Sequence, residues 1–255
     1  DQTYGGADPG IGSGALKLFS TSYAFAALMD DGSVKTWGTH GTFGTAPTDA
    51  VDISATSSAF SALKADGSIT CWLSQYHCAG APTDDGYVKI SSTGSAFAAL
   101  KTDGSIKAWG YTGYGNTGEP TGDGYVDISA TSSAFAALKS DGSVAVWGNT
   151  ANGGNDPGIT GVSKIVGNKK AFAALKTDGS VVAWGDAAYG NTAPTLTDVI
   201  DIFAQKRTGS AFAALKSDGS VAVWGNTANG GANPNPIVAG SGVTKIVANG
   251  YAFAA

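Results

Sequence analysis

The chain has 255 residues, of which 42% are hydrophobic, enough to bury a full apolar core without metals or staples. Only 14% are charged and the net charge is −5; with one arginine (Arg207), one glutamate (Glu119) and no cluster of Lys and Arg to displace phosphate counterions, nucleic acid is not an expected partner. No apolar run of about 18 residues occurs, so no transmembrane helix or membrane insertion is predicted.

Glycine is abundant, at 38 residues, and nearly all acidic charge is aspartate beside glycine or in loops. Both residue types favour turns, so the composition reads all-β. The start, Asp1-Gln-Thr-Tyr-Gly-Gly-Ala-Asp-Pro9, resembles Asp186-Ala-Ala-Tyr-Gly-Asn-Thr-Ala-Pro194, which follows a Trp-Gly pair. The chain therefore opens inside a repeat. The first whole copy brings an apolar strand around Leu18, the run Ala24 to Met29, an Asp31-Gly32 turn and a strand ending at Trp37. The second copy is the most divergent. It reads Cys71-Trp-Leu-Ser-Gln-Tyr-His-Cys78, with Leu73 in place of the glycine that follows tryptophan elsewhere. Two cysteines seven positions apart, with no others in the chain, point to a local disulfide and an oxidising compartment; the alternative is two free thiols, one of them buried in a strand.

The third copy carries Tyr111 and Tyr114 after its tryptophan. The fourth shows the pattern most clearly: Tyr125-Val-Asp-Ile-Ser alternates like a strand, Ala-Phe-Ala-Ala-Leu-Lys is apolar on both faces, Ser-Asp-Gly-Ser turns, and Val-Ala-Val-Trp is a third strand. Asp-Gly between apolar runs is a hairpin signal and recurs at Asp31, Asp66, Asp103, Asp141, Asp178 and Asp218. A strand apolar on both faces needs both faces of its sheet covered; a helix over the same residues is too short. The segment Ser133 to Gly154 recurs letter for letter at Ser210 to Gly231. In the sixth copy, Ala204-Gln-Lys-Arg-Thr-Gly-Ser lengthens the link between the first two strands. The seventh copy ends at Ala255, before its tryptophan.

One phenylalanine marks each copy, at 25, 60, 97, 135, 172, 212 and 253, and a tryptophan follows twelve residues later in six of them. A repeat of about 38 residues used seven times predicts an all-β, seven-bladed β-propeller. Each blade would hold three to four short antiparallel strands, and residues 1–255 would form a single domain: six full repeats plus one split between the termini. The split also predicts that the chain is a segment of something longer, or trimmed at its ends.

The pattern Ala-Leu-Lys-x-Asp-Gly-x-Val-x-x-Trp-Gly resembles the repeats of the regulator of chromosome condensation family. The short period is most similar to bacterial members such as β-lactamase inhibitor protein II. The resemblance implies a seven-bladed propeller closed by pairing of the terminal segments. It fixes function less closely, since members include a nucleotide exchange factor that docks on chromatin, an enzyme inhibitor and secreted or surface proteins. The long basic and acidic loops of the exchange factor have no equivalent here.

In a repeat protein the constant parts build the scaffold and the variable parts carry the individual role. The variable connections hold the aromatics Tyr4, Phe43, Tyr76, Tyr111, Tyr114 and Tyr189, and the sixth-copy insertion holds Lys206 and Arg207; these are the candidate partner-binding residues, each with the alternative of packing over a blade edge. The two histidines, His40 and His77, lack further ligands for a zinc site. No nucleophile elbow or calcium loop occurs, and hairpin geometry accounts for the repeated Asp-Gly-Ser. The sequence therefore predicts no cofactor, no metal and no catalytic residue. It predicts a non-catalytic protein-binding or structural scaffold, extracellular, at a cell surface or in a secretory lumen, whose partner is another protein or an extracellular assembly. An enzyme inhibitor is a special case, and an enzyme with a site on a loop face is the alternative.

Overall fold

Each repeat folds as an antiparallel meander because two turns of different chemistry reverse the chain. The computed structural model describes residues 10–38, 44–205, 209–232, 238 and 240–255. The chain forms two compact units, residues 1–124 and 125–255. The first holds three sheets: β1–β3 (Ala15–Ser20, Ala24–Met29, Val34–Gly38), β4–β6 (Ala50–Ala55, Phe60–Lys64, Ile69–Trp72) and β7–β9 (Tyr87–Ser92, Ala96–Lys101, Ile106–Gly110). The second holds β10–β12 (Tyr125–Ala130, Ala134–Lys139, Val144–Gly148), β13–β15 (Val162–Gly167, Ala171–Lys176, Val181–Gly185), β16–β18 (Val199–Ala204, Ala211–Lys216, Val221–Gly225) and the pair β19 (Val247–Ala248) and β20 (Phe253–Ala254). The chain is all-β, and six of the seven described sheets have three strands.

The turn between the second and third strands is set by Asp-Gly-Ser. The aspartate carboxylate accepts the backbone N–H of the serine two residues on, at 2.8–2.9 Å in all six copies. The glycine takes φ of +79 to +83°, a region open to it for lack of a Cβ. The Ser143 hydroxyl and then its N–H hold the Asp141 carboxyl below the usual carboxylate range. The other turn, between the first and second strands, is built on Thr21, Thr56, Thr93 and Thr131. Each threonine hydroxyl accepts the N–H three residues on, at 2.8–3.0 Å. Every three-stranded sheet also has a one-residue bulge near the start of its first strand, as between Ala50 and Asp52. The bulged side chains Leu16, Val51, Val88, Val126 and Ile200 are exposed.

Packing between successive sheets within each unit repeats one arrangement. The small face of a middle strand, such as Ala134, Ala136 and Leu138, meets the large face of the next sheet, Ile165, Phe172 and Trp184. Ala171, Ala173 and Leu175 meet Ile202, Phe212 and Trp224 in the same way. In the first unit Ala24, Ala26 and Leu28 meet Ile53, Phe60 and Trp72. Alanine lets the sheets approach; the phenylalanine and tryptophan, paired across β14 and β15 with ring centroids 5.2 Å apart, fill the wider gap. The first sheet departs from this: Leu18 is 66% exposed and Phe25 38%, whereas Ile53, Ile128, Ile165, Ile202 and Ile246 are buried.

In the second unit the segments after Trp147 and Trp184 cross onto the next sheet and lay Gly153 and Gly190 on its aromatic pair. A Cβ on Gly153 would stand 2.6 Å from the Phe172 ring, so the glycine there is a packing requirement. The freed carbonyl is used as well: the indole N–H of Trp184 donates to Gly153 O at 3.0 Å, and that of Trp224 to Gly190 O at 3.1 Å. Trp109 receives the divergent Cys71–Cys78 segment instead, and its indole N–H is buried with no acceptor among the described residues. Trp184→Phe is therefore expected to destabilise the protein by about 1–2 kcal/mol more than Trp109→Phe, because only the former strands a buried carbonyl. Urea unfolding of the two variants checks this.

Candidate binding surface

The threonine turns and the post-tryptophan segments lie at the same end of the sheets, and hydrogen bonds order them there. The Thr93 hydroxyl donates to Tyr114 O at 3.0 Å and that of Thr131 to Asn152 O at 3.0 Å. Asn168 replaces threonine in the fifth sheet and donates to Tyr189 O at 2.7 Å. Adjacent turns in the first unit are joined through their backbones, Ser22 N–H to Ser57 O at 2.9 Å and Ser57 N–H to Gly94 O at 2.8 Å. A rigid ridge of turns results.

Gln205 shows how the sixth-copy insertion is accommodated. Its fully buried side chain takes the threonine role across a longer turn: Oε1 accepts Ser210 N–H at 3.1 Å, and Nε2 donates to Asn229 O at 2.6 Å. Threonine is too short to reach both. Gln205→Ala is expected to lose about 1–3 kcal/mol, by leaving the buried Ser210 N–H and the part-buried Asn229 carbonyl unpaired, with thermal unfolding as the readout.

In the second sheet Cys71 and Cys78 are joined by a disulfide, with Cα atoms 5.5 Å apart. The bridge closes a loop around Leu73, whose φ is +82°, where Gly38, Gly110, Gly148, Gly185 and Gly225 stand at φ of +102 to +122°. A branched side chain in this region is strained by about 1–2 kcal/mol, and Leu73 offsets part of that by packing on the Phe60 and Trp72 cluster. The loop presents Tyr76, which is 65% exposed, and buries His77. The His77 ring meets Tyr111 edge-on at 6.2 Å, and Tyr111 meets Tyr114 at 6.1 Å. Three of the sequence-predicted residues, Tyr76, Tyr111 and Tyr114, thus share one end of neighbouring sheets.

Burial pushes the His77 pKa below the ordinary histidine value, and its Nδ1 has no hydrogen-bond partner among the described residues. A histidine whose folded pKa is depressed binds a proton more readily when unfolded. Its stabilising contribution is whole above the unfolded pKa of about 6.5 and is lost as pH falls below it. The urea midpoint is expected to fall through that window, and His77→Gln should flatten the fall.

Tyr189 behaves differently. Its ring lies under the Lys170 ammonium at 5.1 Å and packs on the Phe212 and Trp224 cluster in the second unit, so it covers an aromatic pair. Tyr4, Phe43, Lys206 and Arg207 lie outside the described residues, as does His40. Two features escaped the sequence reading. Tyr23, in the first turn, is 47% exposed, and aligning the turns would have shown a tyrosine where Ser58, Ser95 and Ser133 stand. The second is charge: segments 21–23, 56–59, 73–80, 93–95 and 111–118 contain no Asp, Glu, Lys or Arg, whereas the equivalent end of the second unit has Lys169, Lys170 and Asp186.

A cleft of about 490 Å³ in the second unit is lined by Lys164, Val166, Phe203, Ala204, Ala248 and Asn249. Its one titratable group, the Lys164 ammonium, is held by Asp201 at 2.5 Å.

No family model and no curated protein matches the sequence. Solved structures match in fold. The CRINKLY WD40 ectodomain of the receptor kinase ACR4 from Arabidopsis thaliana is 20% identical, with 83% of this chain and 79% of that one covered and a TM-score of 0.55. The ectodomain of the receptor kinase CR4 from Physcomitrella patens is 16% identical, with 91% and 66% covered and a TM-score of 0.60. Prp20p of Saccharomyces cerevisiae, the yeast RCC1, studied for its binding to Gsp1p and histones, is 15% identical, with 83% and 72% covered and a TM-score of 0.56. At these identities the likeness concerns architecture, and it identifies the repeats as an RCC1-like propeller fold.

Proposed function

We propose that the protein is a non-catalytic binding and scaffold module that docks another protein or an extracellular assembly through the loops at the tyrosine end of its sheets. The observation that carries this is the division of labour within the repeats: the sheets are nearly constant, whereas the segments after Trp72 and Trp109 depart from the others and carry the exposed aromatics Tyr76 and Tyr111 on an ordered ridge. Exposed tyrosines bring large contact area with little rotamer entropy to lose. The disulfide and the receptor-ectodomain likeness support an extracellular or surface setting. An enzyme inhibitor of the kind typified by β-lactamase inhibitor protein II is a special case. Immobilised wild-type protein and a Tyr76→Ala/Tyr111→Ala variant, incubated with surface and secreted fractions, test the proposal. Selective capture by wild type is expected; equal capture by both removes the tyrosine end as the site.

We also propose that the seven repeats form one domain closed as a seven-bladed ring. The uncovered Leu18 and Phe25 support this, because every other marker phenylalanine in a three-stranded sheet is fully buried.

A further inference from the structure

The end of the first unit that carries Tyr23, Tyr76, Tyr111 and Tyr114 is a site of stated chemistry, and we infer that it takes a neutral polysaccharide. The inference rests on the binding-module reading of this end and narrows its ligand class. Three observations converge. The five segments that form the surface lack any formal charge, in a chain where 14% of residues are charged. Protein–protein interfaces lose charge at the core but keep a polar, commonly charged rim; these segments carry no charge along their whole length. A ligand without charges needs none to complement it, and a charged one would find no partner.

The second observation is the exposed ring area. Tyr76 is 65% exposed, Tyr111 50% and Tyr23 47%. A sugar ring has a C–H face that stacks on an aromatic ring and a rim of hydroxyls that both donate and accept hydrogen bonds. Tyrosine matches both with its amphipathic ring and phenol.

The third is the surrounding polar set. The same segments carry Ser57, Ser58, Ser74, Gln75, Ser95, Thr112 and Asn116, all hydroxyls and amides and none of them buried. These are neutral groups able to donate and accept, the inventory a polyhydroxylated chain requires. The turns that carry part of the set are fixed by the Ser22–Ser57 and Ser57–Gly94 backbone bonds, so the platform is preorganised.

Native affinity electrophoresis tests this. Gels would contain hydroxyethyl cellulose, β-glucan or galactomannan, with pull-down on insoluble cellulose and chitin beside them, and pectate and heparin as charged comparators. Retardation by at least one neutral polysaccharide is expected, unchanged when ionic strength rises from roughly 0.05 to 0.5 M. Tyr76→Ala/Tyr111→Ala should weaken it at least about tenfold. Tyr76→Trp keeps the stacking face and should retain binding; this control does not disturb the His77–Tyr111–Tyr114 contacts. No retardation by any neutral polysaccharide, retardation by the charged ones alone, or indifference to the tyrosine changes overturns the inference. If the double variant loses a protein partner while no polysaccharide binds, the glycan assignment falls and the binding-module reading stands.

Discussion

Phe172→Ala is expected to lower the unfolding free energy by about 3–5 kcal/mol, measured by urea denaturation. The ring is fully buried, stacks on Trp184 at 5.2 Å and fills the space between the alanines of β11 and the glycine at position 153. Backbone hydrogen bonds hold the facing strands, so the cavity cannot collapse and the upper part of that range applies. Phe25→Ala is the informative comparison. With Phe25 38% exposed in the first unit, an uncovered sheet predicts a loss of less than half that of Phe172→Ala. A closed ring predicts losses that match. Equal destabilisation would support closure; a small loss at Phe25 would sink it.

Opening the Cys71–Cys78 bridge has the second large effect. The bridge closes a loop across a sequence separation of seven. Restriction of the unfolded chain by a loop that short contributes about 2–3 kcal/mol. Leu73 offsets part of this, because its left-handed backbone lies inside the closed loop and relaxes once the loop is free. Cys71→Ala/Cys78→Ala is expected to lose that amount and, with it, the ordered placement of Tyr76 and His77. Urea curves with and without reductant, together with near-ultraviolet circular dichroism of the tyrosines, report both. Identical unfolding of the oxidised and reduced protein would refute the assignment.

The strands were legible because each repeat states them several times over: Asp-Gly-Ser marks one turn, and the two-faced Ala-Phe-Ala-Ala-Leu run marks the middle strand. The bulges were not legible. Val126 and Asp127 read as ordinary alternation, and the irregularity arises only when β10 pairs with β11. The surface was half legible. Tyr76, Tyr111 and Tyr114 stood out as loop aromatics, but Tyr189 stood out equally and proved to pack under Lys170. The difference lies in the neighbour: Lys170 follows Asn168 in one turn, whereas Ser95 follows Thr93 in the other. His77 carries no local signal beyond a lone loop histidine, and its edge contact with Tyr111 joins two different repeats, which no pattern within one repeat shows.

Residues 133–154 and 210–231 are identical, yet each builds its own sheet and covers whatever follows it. Because the contacts between sheets repeat from one junction to the next within a unit, every part is interchangeable with its counterpart. A gene with such near-duplicate stretches can gain or lose a whole module by unequal crossing-over, and the new junction would be as well fitted as the old. Copy number would then drift between related genes faster than the wording of any single copy.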